Sequence, residues 1–109
     1  MELKSLNKDE IKSLIQRRRL QILVHSCIYY VFGSSLISDN QWKDWAVELV
    51  SLQKGNPKIA NQVKYAKEFK DFDPSTGYNL PIQDEDVISR ALHLIRWHDR
   101  KMVENNGCN

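Results

Sequence analysis

Apolar residues recur at three- and four-residue intervals along most of this chain. Ile11, Leu14, Ile15, Ile22, Leu23, Cys27, Ile28 and Val31 form the first series, the spacing of a helix with one face in a core. Asn7 and Glu10 precede it at capping-box spacing, with Asn in the usual place of Ser or Thr. Gly33 is suited to turn the chain out of the helix. The run Arg17-Arg18-Arg19 interrupts the apolar series, so a bend or break is expected there. Trp42, Trp45, Ala46, Leu49 and Leu52 make the clearest stripe. Ser38 with Gln41 supplies a second capping box, Asp39 suits the positive end of the helix dipole, and Gly55 closes the element. Pro57 fits the first position of a third helix capped by Asn56, with Ile59, Val63 and Ala66 as a thinner apolar face. From Asp71 to Pro81 the chain is rich in turn formers and has no helical period. A last helix begins at the acidic Asp84-Glu85-Asp86 and turns Val87, Ile88, Ala91, Leu92, Ile95 and Trp97 inward.

The pattern predicts an all-α protein, a bundle of about four helices over 8–32, 39–54, 57–69 and 84–103 with an irregular loop at 70–82. No segment alternates like a strand, and no linker divides the chain. One helical domain over 1–109 is expected, with the polar tail 105–109 frayed.

Composition narrows the picture further. Hydrophobic residues are 41% and charged residues 28%, which fits a packed globule and not a disordered chain. A net charge of +2 is too small to imply nucleic acid by itself. Met1–Lys12 is polar, unlike a signal peptide, and the longest apolar run, Ile22–Phe32, is too short to span a bilayer. A cytoplasmic location without membrane attachment is expected. Cys27 and Cys108 then read as free thiols, with Cys27 inert in its apolar stretch. His25, His93 and His98 lack zinc-site spacing, so no metal is expected.

The most specific stretch runs through Ile28-Tyr29-Tyr30-Val31-Phe32, Leu36-Ile37-Ser38-Asp39-Asn40-Gln41-Trp42-Lys43, Glu48-Leu49 and Asn56-Pro57. It resembles the N-terminal helical cap of NAD-dependent DNA ligases. That family carries Tyr-His on one helix, Ile-Ser/Pro-Asp with an aromatic and an Asp at the start of the next, then Glu-Leu and a closing His-Pro. The spacing agrees without a gap from Tyr29 to Pro57, and the similar hairpin covers about 11–57. The resemblance implies a site for the nicotinamide mononucleotide half of NAD, with Tyr29, Asp39 and Trp42 at contact positions. Tyr30 stands where the family has His, Lys43 where it has a second Asp, and Trp42 where it has Tyr. No Lys-x-Asp-Gly adenylation motif is present. The other ligase domains would not fit in 109 residues, so no ligase activity is expected. The chain as a whole is similar to small ligase-like proteins of bacteriophages and prophages of Gram-positive bacteria.

Two candidate sites follow. Tyr29, Tyr30, Asp39, Trp42 and Lys43 are the candidate cofactor contacts. Trp42 and Tyr29 also suit a core, and Asp39 a helix start. Arg17, Arg18, Arg19, Asp71, Phe72, Asp73, Ser75 and Thr76 are candidate contacts to a partner protein. Successive helical residues are about 100° apart, so the arginines cannot share one face. Acids outnumber bases six to one from Glu68 to Asp86, whereas bases outnumber acids six to three over residues 1–33. Such a split can steer a charged partner.

The first expectation is a non-catalytic phage-type interaction protein that inhibits a host or defence-system protein, in the manner of an anti-CRISPR protein. It would then work in the host cytoplasm and approach nucleic acid only through that partner. The alternative is an accessory module binding NAD or nicotinamide mononucleotide, although no cofactor is expected from the residues alone. A weak nucleic-acid binder stands third.

Overall fold

The computed structural model describes residues 6–106, and all regular structure in them is helical. Helix α1 spans Lys8–Tyr30. Its start is a complete capping box: Glu10 N–H donates to Asn7 Oδ1 at 2.8 Å, and Asn7 N–H to Glu10 Oε1 at 2.9 Å. The helix runs unbroken through Arg17-Arg18-Arg19, contrary to the bend expected there. Ile15, Ile22, Leu23, Cys27 and Ile28 are fully buried along one side. The helix ends two residues before the predicted limit, and Val31 is exposed. Gly33 takes a left-handed φ of +64°, and the Ser34 N–H returns to the Ile28 carbonyl at 3.0 Å.

Helix α2 spans Asp39–Gly55, with Ser38 Oγ accepting the Gln41 N–H at 3.0 Å. It buries Ala46 and Leu49 and packs Trp42, Trp45 and Leu52 at the core's edge.

The predicted helix over 57–69 is corrected. Helix α3 spans only Pro57–Ala60, and turns follow it. Arg19 explains the early stop. Its guanidinium, 2% exposed, takes the carbonyls of Ala60, Val63 and Lys64 at 3.0–3.1 Å and also donates to Gln53 Oε1 at 2.9 Å. The Ala60 carbonyl, which a continued helix would give to the N–H four residues on, is thus engaged from the side. Tyr65 at φ +71° completes the break. Asn56 does not cap this helix; its side chain donates to the Leu52 carbonyl at 3.0 Å.

Helix α4 spans Glu85–Asn106, longer than predicted. Asp84 Oδ1 accepts the Asp86 and Val87 N–H groups at 2.9 and 3.4 Å. Val87 and Ala91 are buried, while Trp97 is 46% exposed and so not the core residue expected. The tail expected to fray over 105–109 is helical at Asn105 and Asn106, a correction, while 107–109 and the thiol of Cys108 lie outside the described residues.

Helix α1 packs on α2, α3 and α4, whereas α2 and α4 do not meet among the described residues. It is therefore the central element. Buried Phe69, Leu80 and Ile82 pin the irregular 61–84 segment to the common core. Among the described residues no helix is long and apolar enough to cross a membrane.

Candidate functional site

The last turns of α1, the turn at 35–38, the first turn of α2 and the loop at 74–77 border a half-open cavity of about 330 Å³. Tyr29, Tyr30, Asp39, Trp42 and Lys43 all line it. So do Ser75 and Thr76, which the sequence placed in a separate candidate surface. The fold has merged parts of two predicted sites into one.

Its geometry is built from local chemistry. Helical spacing puts Tyr29 and Tyr30 one turn beyond His25 and Ser26, and these four share the cavity wall. Trp42 is half-buried, and its Nε1–H donates to the buried Ser26 Oγ at 3.1 Å. That bond fixes the indole across the helix interface. Phe72 stands edge-on to Trp42, with centroids 6.4 Å apart, and packs at 5.1 Å on Phe69. Phe72 is therefore a support for the wall and not the free partner contact expected.

The loop closes against this pair. Gly77 is buried, and a β-carbon there would lie 2.2 Å from Ser26 Oγ and 3.2 Å from Trp42 Cζ2. Only glycine permits that approach. The loop shapes itself through Asp73 Oδ1, which accepts the Ser75 N–H at 2.9 Å, and Thr76 Oγ1, which accepts the Tyr78 N–H at 3.2 Å. The Ser75 hydrogen bonds hold the Asp73 carboxyl below its ordinary range. Tyr30 OH and Thr76 Oγ1, 3.3 Å apart, join helix to loop.

The polar lining has both signs of charge. Asp39 and Lys43 are exposed on the cavity wall, one helical turn apart. His25 packs on Trp45 at 5.5 Å, its Nδ1 is buried without a hydrogen-bond partner, and burial holds its pKa below 6.5. An aromatic wall, a carboxylate, an ammonium and several hydroxyls can hold a planar ring, sugar hydroxyls and an anionic group.

The remaining candidates lie elsewhere. Arg19 is buried and structural, a correction to its expected role at a partner surface. Arg18 donates to Glu48 Oε1 and Gln21 Oε1, each at 2.6 Å, and lies over the Trp45 ring. Arg17 alone of the three is exposed, beside Ser13 and Leu14. Asp71 and Asp73 are exposed outside the cavity wall. Burial pushes the Cys27 thiol's pKa up, so the protonated form is favoured. Among the described residues no group of three or more His, Cys, Asp or Glu could hold a metal ion.

Sequence reasoning missed His25, Ser26 and Gly77. A signal for the first two was present: they sit four residues before Tyr29 and Tyr30 on the same helical face. Gly77 carried none, because its necessity arises from a contact with a distant helix. Compared with protein-family models, curated proteins and solved structures, the chain matches none.

Proposed function

We propose that this chain is a non-catalytic binding module whose cavity takes the nicotinamide mononucleotide half of NAD or a nucleotide of the same shape. One observation carries the reading. Tyr29, Tyr30, Asp39, Trp42 and Lys43, singled out by ligase-cap resemblance alone, line a single cavity. Its volume of about 330 Å³ lies within the range of small-ligand sites. Trp42 and Tyr29 supply ring faces, Asp39 an acceptor for sugar hydroxyls, and Lys43 a cation for phosphate. Lys43 reverses the charge the ligase cap carries there, which favours an anionic nucleotide. Calorimetry of the full chain with nicotinamide mononucleotide and with NAD tests this. Saturable heat that Asp39→Ala weakens at least tenfold supports it, and no heat from either ligand at millimolar concentration overturns it.

A second reading has its own observation. Asp71, Asp73 and Ser75 are exposed along one loop, and exposed loops often carry recognition. A basic surface of a host or defence-system protein would suit them. Association with such a protein that survives Asp71→Lys with Asp73→Lys would exclude this loop as the contact.

A further inference from the structure

We propose that the rim of the cavity carries a second subsite, formed by Tyr29, Tyr30 and Tyr78, for the other base of a dinucleotide. This rests on the reading of the cavity given above.

The three tyrosines are 56%, 41% and 65% exposed. Tyr30 lies between the other two: its ring centroid is 4.9 Å from that of Tyr29 at an interplanar angle of 87°, and 5.3 Å from that of Tyr78 at 72°. Edge-to-face contact of this kind covers one face of one ring and leaves other faces open. The cluster is also held in place. Tyr30 meets Thr76 through its hydroxyl, and the Tyr78 backbone is tied to the same Thr76 side chain. A preorganised patch of exposed aromatic rings on a small protein marks a binding surface.

Position and size identify the occupant. Tyr29 and Tyr30 line the cavity and also form the tyrosine cluster, so patch and cavity are continuous. Tyr78 stands outside the cavity wall. The cavity volume, about 330 Å³, is at the small end of the ligand-site range and suits one ring with its sugar and phosphate. A second base attached through a diphosphate would have to lie outside it. Lys43 is a cation on the cavity wall for the linking phosphates. Stacking on tyrosine needs only a π-face, so adenine fits without specific hydrogen bonds.

The test is calorimetry of the full chain with NAD and with nicotinamide mononucleotide, on the wild type, Tyr78→Ala and Tyr78→Phe. NAD is expected to bind about five- to tenfold more tightly than the mononucleotide, the lower part of the range for one base stacked on an aromatic ring. Tyr78→Ala should abolish that difference and leave the mononucleotide's affinity unchanged, while Tyr78→Phe keeps it. Equal affinities in the wild type overturn the subsite and leave the cavity reading intact. A Tyr78→Ala variant that weakens both ligands alike, or neither, also overturns the subsite. Absence of binding by both ligands overturns the cavity reading and the subsite together.

Discussion

Two single residues hold the irregular segments in place, Gly77 by its small size and Arg19 by its buried hydrogen bonds. Gly77 lets the loop lie against Ser26 and Trp42. Gly77→Ala should push the loop outward and cost about 1–3 kcal/mol, as overpacking does. A lower urea midpoint, together with a red-shifted Trp42 emission, would show it; an unchanged midpoint would refute it. Arg19 sits fully inside and satisfies carbonyls of the segment after α3. Burial lowers its pKa, and Glu68 partly offsets this. Arg19→Met keeps much of the volume but strands those carbonyls, so roughly 3 kcal/mol of stability should be lost, as expected for unsatisfied buried groups. A midpoint within error of the wild type would show that water or a rearranged turn satisfies them. Neither role was legible in the sequence. Helical spacing parts Arg17, Arg18 and Arg19 onto different faces, but only the packing shows which is exposed, which half-buried and which buried.

At the scale of elements, the starts of α1 and α2 were the most legible feature, because side-chain capping is local chemistry. Asn7, Ser38 and Asp84 each accept backbone N–H groups at the start of a helix. Asp84→Ala should cost about 1 kcal/mol, the usual worth of such a cap, with a small loss of helical circular dichroism; no change in the melting midpoint would argue against a capping role. The third helix was misread for a matching reason. Ile59, Val63 and Ala66 have helical spacing, but that spacing does not reveal that Arg19, on a remote turn of α1, takes the Ala60, Val63 and Lys64 carbonyls. Side chains reaching across more than forty positions override a weak local pattern.

For the whole molecule, the central place of α1 couples the core to the cavity, because buried Ile22, Leu23 and Ile28 share a helix with Ser26, Tyr29 and Tyr30. Ligand binding should therefore raise the melting midpoint of the entire domain by mass action. His25 links the same region to pH. Burial holds its folded pKa below the ordinary 6.5, so the unfolded chain binds more protons in that window. Stability is full above 6.5, falls as pH drops through the interval down to the folded value, and is flat below it as far as this group is concerned. His25→Gln should remove that slope; a melting midpoint that declines identically in both proteins would assign it to other groups. The sequence by itself determined the all-helical class, the caps at Asn7 and Ser38 and the long first and last helices. These depend on periods of a few residues and on hydrogen bonds between near neighbours. Tertiary structure alone decided that α3 is a single turn, that Arg19 is internal, and that the 74–77 loop closes on Trp42 to merge two candidate surfaces into one cavity. Each of these rests on contact between segments far apart in the chain, where what matters is whether two surfaces meet, and local pattern carries no record of that.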